Sequence, residues 1–516
     1  MPAHVGHPHR WRILAVLVLG LLIIVMDTTI LNVTLKTLAD PEVGLGASQA
    51  ELEWMVNSYT LVFGSLLFTW GVVADRWGRR RSLLVGLALF AVSSLGAALS
   101  TTPLMLIAAR AIMGIGGAAL IPATLATLSE VFDDRERPKA FGLWAASVGM
   151  ALALGPVLGG FLLDHFAWGS VFLINVPIAV VAIAAIRLVV PETRDPNPGS
   201  FDPLGVLLSI VGFTLMVYGI ITGGDDGFGA PLAYGPILGG LAVLAILGLV
   251  ERRSRNPALD VELFRDARFS AAVGAITLAF FALMGMSFSL SFYMQSVLDM
   301  SPFATGLTFV PLALVQIVAA PASPRLAQRY GAKIVAAVAL GLIALALAGL
   351  SQLATDTPLR YVILDTMVLG TGMGLLMPAM TTSVMTAVPR DKAGAGSAVS
   401  QTLRQIGGAF GVAIIGSVLS ASYRAQIGPT IDQIPGLTGQ QRGLVSGSIE
   451  ATLGFVDKVS PMFPQAKALI RPAQEAYVHA AAVANIVSVA VILLALGVVL
   501  LWLPGRAIRA EMKPAE

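Results

Sequence analysis

The sequence predicts an all-α polytopic membrane protein of about fourteen transmembrane helices, and three observations carry that class. The chain of 516 residues is 56% hydrophobic with a mean hydropathy of +0.81, well above the apolar share of soluble domains. Windows of about 18 to 25 residues with few charges, each long enough to cross roughly 30 Å of hydrocarbon as a helix, recur from Ile13 to Trp502. These windows are continuously apolar rather than alternating, which favours helices over a barrel, and Gly and Pro are spread through them as membrane helices tolerate.

The windows fall near 13–34, 53–73, 82–100, 104–125, 140–162, 168–189, 203–223, 233–250, 270–294, 304–323, 333–353, 360–382, 396–420 and 479–503. Lys and Arg give the orientation. With the N-terminus cytoplasmic, the inner connections hold Arg10, Arg12, Arg76, Arg79, Arg80, Arg81, Arg135, Arg137, Lys139 and the basic residues that alternate with later spans. The short outer connections then hold only Lys36 and Arg360. Both termini are therefore expected inside. One outer connection, 421–478, carries Arg424, Arg442, Lys458, Lys467 and Arg471, and it is long enough for the rule to weaken.

The net charge of +3 follows from this inner bias. Because spans interrupt the basic residues, no basic face is collected for a nucleic-acid partner. The absence of Cys excludes thiol catalysis, disulfides and Cys-metal sites. The five His, at positions 4, 7, 9, 165 and 479, lie at ends or in loops. An intramembrane enzyme, a metal and a cofactor are therefore not expected.

A charged connector, Gly71-Val72-Val73-Ala74-Asp75-Arg76-Trp77-Gly78-Arg79-Arg80-Arg81, sits between two apolar runs. A softened copy, Ala327-Gln328-Arg329-Tyr330-Gly331-Ala332-Lys333, begins 253 residues after Ala74. Ile121-Pro122-Ala123 likewise recurs as Met377-Pro378-Ala379. Two copies imply two six-helix bundles, with two further helices inserted between them. The expected organisation is a tail 1–12, a first bundle 13–189, linkers and two inserted helices 190–269, a second bundle 270–503 that includes the outer connection 421–478, and a tail 504–516.

Ionisable residues inside the spans mark the chemistry. Asp27 lies about two turns from the outer end of the first helix, where a charge costs roughly 2.5 to 3.5 kcal/mol on insertion scales and must be paired or solvated by a cavity. Arg110, entering from outside on the fourth helix, reaches a similar depth after about 9 Å at 1.5 Å per residue, so the two can meet. Such a pair serves either as a coupling site or as a polar clamp between helices. Asp365 sits one to two turns inside the twelfth helix, as a functional carboxylate or as an outer-mouth residue. Phe281, Met284, Phe288 and Phe292 form one helical stripe, either core packing or a substrate-facing wall. Arg404-Gln405 near the inner side could snorkel to headgroups. The Gly155-Pro156 step removes one backbone hydrogen bond and permits a bend.

Taken in order, these residues resemble the fourteen-helix drug:proton antiporter branch of the major facilitator superfamily, typified by exporters of quaternary ammonium compounds and dyes. The likeness spans essentially the whole chain. It rests on Asp27-x-Thr29 with Asn32; Trp54 and Tyr59; Gly71-x3-Asp75-Arg76-x-Gly78-Arg79-Arg80; Arg110-x3-Gly114-x-Gly116; Gly155-Pro156-x2-Gly159-Gly160; Trp168, Phe172 and Asn175-Val176-Pro177; and Asn256-Pro257 with Leu263-Phe264-Arg265. The chain departs from the pattern at Lys36, where a proline usually stands, at Met113, where glutamine is usual, and at Gln328, where the second connector copy usually has an acid.

The resemblance implies the major facilitator fold, with two six-helix bundles rocking around a central cavity. It implies proton-coupled export of lipophilic cations across a bacterial cytoplasmic membrane by a monomer, whose partners are a small-molecule substrate, protons and the lipid bilayer. Asp27, Arg110 and Asp365 become coupling candidates. Asn32, Trp54, Asn57, Tyr59, Phe288 and Phe292 become cavity candidates, and Gly155, Pro156, Gly159 and Gly160 the antiporter bend. Gly71, Asp75, Arg76, Gly78, Arg79 and Arg80 become an inner latch between the bundles. The same fold also suits export of an endogenous metabolite, antibiotic, siderophore or lipid.

Overall fold

The computed structural model describes residues 7–133, 135–195, 202–253, 261–388, 393–434 and 437–504. His4, Arg255, Asn256, Pro257, Arg390, Lys392, Arg506, Arg509 and Lys513, with linker residues 196–201, lie outside them. Fourteen helices are long and apolar enough to cross a membrane. They are α1 Arg10–Ala39, α2 Gln49–Trp77, α3 Arg79–Ala98, α4 Pro103–Val131, α5 Lys139–His165, α6 Ser170–Val189 and α7 Pro203–Asp226. Then come α8 Pro231–Glu251, α9 Ala267–Val297, α10 Pro302–Ala319, α11 Ala332–Leu350, α12 Leu359–Ala387, α13 Gly396–Asp432 and α14 Pro464–Trp502. Inner and outer below name the two faces that Lys and Arg predict.

Local sequence explains where these helices start. Ser48 and Glu51 close a reciprocal capping box on α2, which satisfies two orphan amides. Thr102 and Ser301 cap α4 and α10, each followed by Pro at the first position, where its missing N–H costs nothing. The repeat is visible in the backbone as well as in the sequence. Gly78 joins α2 to α3 at φ 124°, and Gly331 joins the short helix Ala322–Tyr330, which follows α10, to α11 at φ 92°, a conformation open to glycine and strained for most other residues.

The outer connection is shorter than the hydropathy windows predict. Helix α13 continues to Asp432 and α14 begins at Pro464, leaving two short outer-loop helices, Gly439–Val445 and Ile449–Val459. The polar residues that lower hydropathy there are satisfied within the protein. Tyr423 Oη donates to Thr452 Oγ1 at 2.7 Å, and Arg424 Nη2 pairs with Asp225 at 3.1 Å.

Helices α1 to α6 pack on one another, α1 against α5 and α6, α2 against α4, and α3 against α4 and α6. Helices α9 to α14 do the same, α9 against α13 and α14, α11 against α12 and α14, and α10 against α12. The inserted pair α7 and α8 pack on each other, and α7 also lies along α13 and α2. Two seams join the halves: α2 with α13, and α5 with α10.

At the outer face the halves are fastened. Lys36 Nζ donates to the Gln295 carbonyl at 2.6 Å, Gln295 Nε2 to the Val33 carbonyl at 3.0 Å, and Ser301 Oγ to Asp164 at 3.0 Å. The described bonds of the inner connectors stay within one half. The molecule is therefore closed on its outer side.

Candidate functional site

The buried centre of the first half is built on α1. Asp27 is 1% exposed, and both its oxygens have partners. Oδ2 accepts from Arg110 Nη1 on α4, and Oδ1 from Asn175 Nδ2 on α6 at 3.2 Å. Arg110, also 1% exposed, donates its Nε to the Met55 carbonyl on α2 at 3.1 Å and lies 4.4 Å from the centre of the Tyr59 ring. Asn175 is fixed in turn by its second bond, to Ser94 Oγ at 3.0 Å, while Ser94 donates to the Phe172 carbonyl at 2.9 Å. Five helices thus meet on one ion pair. A buried pair with this many bonds is held, but removing one member leaves an uncompensated charge.

The glycines of α5 let that helix press on the same turn of α1. A Cβ at Gly155 would fall 2.8 Å from the Met26 carbonyl, and one at Gly159 would fall 3.3 Å from the Ile30 carbonyl. Gly160 and Pro156 face α10 instead, meeting Pro302–Phe303 and Gly306. The Gly155–Gly160 stretch therefore touches the Asp27 turn on one side and the second half on the other. Small residues at such seams allow backbone to meet backbone.

Other expected residues disperse. Tyr59 is fully buried, stacked on Phe63 with ring centres 5.4 Å apart. Asn57 is fully buried, and neither of its polar side-chain atoms has a partner. Asn32 is buried on α1. Trp54 turns to the inserted helix α7, its ring centre 6.3 Å from that of Tyr218. Phe288 and Phe292 are buried edge to face, 5.3 Å between centres, which is a packing arrangement. Asp365 does not join the pair. It lies between α12 and α11 beside Gly349, with Oδ2 buried and unpartnered. Arg404 stacks over Phe280 at 4.9 Å rather than reaching outward.

The inner connector is fastened to its own half. Arg79 bonds Asp75 at 3.1 and 3.2 Å and also pairs with Glu130 on α4. Glu192 accepts from the Arg80 amide at 3.2 Å and approaches the Arg80 and Arg81 guanidiniums at 3.8 and 3.7 Å. The Asp195 amide donates to the Asp75 carbonyl at 3.1 Å. With the outer side closed, these described bonds of the expected latch do not reach the second half.

Two carboxylates escape the sequence reading. Glu53, 1% exposed on α2, faces Gly416 of α13; the hydropathy window began at it, whereas the Ser48–Glu51 capping box places it in the second turn. Glu450, on the outer-loop helix Ile449–Val459, accepts from Ser296 Oγ at 2.5 Å.

The family model for the Major Facilitator Superfamily matches residues 17–412. The chain belongs to this superfamily. Among its relatives it is 35% identical over 450 residues to the multidrug efflux pump LfrA of Mycolicibacterium smegmatis, covering 87% of this chain and 88% of that one. It is 30% identical to the methyl viologen resistance protein SmvA of Salmonella typhimurium, covering 92% and 94%. Among solved structures, a bacterial homologue of the human lysosomal transporter Spinster, inward-facing and occupied, aligns with a TM-score of 0.65 at 15% identity, over 96% of this chain and 97% of that one. These relatives are efflux and resistance proteins, and the superfamily's members carry small molecules across membranes.

Proposed function

We propose that this chain is a proton-coupled antiporter of the bacterial cytoplasmic membrane, exporting lipophilic cationic compounds by alternating access with both termini cytoplasmic. The observation that carries the reading is the Asp27 carboxylate, buried with Arg110 and Asn175 on the turn of α1 that α5 presses against. A carboxylate between a cation and a moving helix has two occupants to choose from, a proton or a substrate cation. As Arg110 swings away the carboxylate loses its counter-charge and takes one of them; as Arg110 returns it releases it. Proton uptake from outside then displaces substrate, and proton release inside restores the cation site. A charge crossing a 100 mV potential is worth about 2.3 kcal/mol, enough to drive export when coupling is tight. The named multidrug and methyl viologen resistance relatives support the substrate class.

The test is pH-gradient-driven efflux of a fluorescent lipophilic cation from inverted vesicles. Asp27→Asn is expected to lose at least tenfold of the driven rate and to weaken binding of the cation, and undiminished driven efflux removes Asp27 from the coupling role. A second reading, export of an endogenous antibiotic-like product, is favoured by 32% identity, over 82% of this chain and 78% of that one, to the tetracenomycin C resistance and export protein of Streptomyces glaucescens. Competition of such metabolites with the dye separates the two.

A further inference from the structure

The seam between α2 and α13 holds a second acidic centre that the coupling scheme does not use. Glu53 projects from α2 onto Gly416, where a Cβ would collide with its carboxylate. It is 1% exposed, and its Oε2 is buried without a partner. The approaching polar groups come from three elements. Gln49, one turn outward on α2, turns toward it, and Asp225, at the end of α7, sets a like charge beside it. On α13, Ser420 Oγ donates to Asp225 at 3.2 Å, and Arg424 bonds both the Asp225 carboxylate and its backbone carbonyl. The one guanidinium of the group is therefore committed to Asp225.

One turn outward along both helices lies a cavity of about 10 Å³, room for a single water. Gln49 and Ser420 line its inner side, Tyr423 and Tyr477 its walls, and Glu450 of the outer-loop helix its far side. Helices α2 and α13 run antiparallel here, so stepping from Glu53 to Gln49 and from Gly416 to Ser420 covers about 6 Å on each. Lys36 acts on Glu450 from α1. The path from Glu53 to the outer surface is thus a short polar column, while the other direction along α2 passes the buried, unpartnered Asn57 and then closes on Leu61, packed among Val217, Ile220, Ala409 and Ala413.

We propose that Glu53 is a gating proton site, distinct from Asp27, that exchanges with the outer face through the cavity beneath Glu450. With the outer side closed, a proton on Glu53 removes the charge that would otherwise be buried against Gly416 and beside Asp225. Loss of that proton leaves an anion with no counter-charge in the seam, and the seam opens to water. The proton returns to the side it came from, so this site sets when the outer mouth opens and leaves the transported proton to Asp27. Only that last division rests on the proposed antiport; the pH response of the seam does not.

The chain has no Cys, so spin labels can be placed cleanly at Leu99→Cys and Leu359→Cys, exposed outer positions in opposite halves. Electron–electron resonance distances of the full chain in lipid nanodiscs from pH 5 to pH 9 are expected to show a growing outer-open population as pH rises. Glu53→Gln is expected to hold the short distance throughout, whereas Asp27→Asn and Glu450→Gln keep the rise. Asp225→Asn removes the like charge and is expected to move the midpoint to lower pH, a check that survives poor folding of Glu53→Gln. A wild type without pH response, a Glu53→Gln protein that opens like wild type, or loss of the response in Glu450→Gln alone overturns the assignment. A seam that titrates through Glu53 in a protein without gradient-driven efflux would leave this site standing and sink the antiport reading.

Discussion

The two halves share a backbone and divide the chemistry. Their connectors turn through glycines of the same left-handed sense, Gly78 and Gly331, and both halves bury apolar cores. Yet the first half holds ion pairs at two levels, Asp27 with Arg110 at the centre and Arg79 with Asp75 and Glu130 at the inner face, with Glu53 of α2 standing apart from both. The second half instead packs Phe288 against Phe292, leaves Asp365 beside Gly349, and has a connector where Gln328 replaces the acid and Arg329 stacks on Tyr330 at 5.2 Å. The repeat therefore preserves shape, while electrostatic work is concentrated in one half.

That contrast can be broken by taking away charges. Arg110→Ala should have the largest effect, lowering stability by about 3 to 5 kcal/mol because Asp27 is left buried and unpaired; unfolding of the purified protein in detergent measures it. Adding Asp27→Asn should restore much of the stability and none of the driven efflux. Asp75→Asn should cost under about 1 kcal/mol, since the pair is partly solvated and Arg79 keeps Glu130. It should also raise labelling of a cysteine placed at the inner mouth, whereas Gln328→Ala changes stability by less than about 0.5 kcal/mol and leaves the labelling unchanged. Equal labelling changes would erase the asymmetry.

A third measurement concerns the outer-loop helix. Burial pushes the Glu450 carboxyl up to about 7, against the opposing influence of the Ser296 hydrogen bond and Lys36. A carboxyl whose folded value is raised contributes stability that is complete below its usual range near 4.5 and is lost as pH rises through about 7. The protection factor over 449–459, corrected for the intrinsic pH dependence of amide exchange, should therefore fall between pH 5 and pH 8 and stay level in Glu450→Gln. Asp365→Asn should have the smallest effect, keeping most of the driven efflux, because Asp365 lies away from the Asp27 pair; a loss as large as that of Asp27→Asn would move coupling into the second half.

Much of this was legible in the sequence for physical reasons. Hydropathy over a span and the sidedness of Lys and Arg follow directly from the bilayer, so the sequence predicts about fourteen helices, and fourteen stand among the described residues. Asp27 and Arg110 could be matched because both are measured from the outer end of a straight helix. Asn175 as the second partner of Asp27 could not be, because which face of α6 meets α1 is decided by packing. The neighbour of Trp54 is decided by packing too, since Tyr218 belongs to an inserted helix. Glu53 was hidden by averaging: a hydropathy window trims polar ends, whereas the capping box at Ser48 starts α2 four residues before Glu53.

The position of α7 divides the moving parts unequally. Its described hydrogen bonds go to α13, through Ser417 to the Ile220 carbonyl at 2.9 Å and through Ser420 and Arg424 to Asp225, while its contact with α2 is made by apolar side chains. Residues 192–195, by contrast, are pinned to the first half through Glu192, Thr193 and Asp195. In the alternating access we propose, the added pair moves with the second half, eight helices against six.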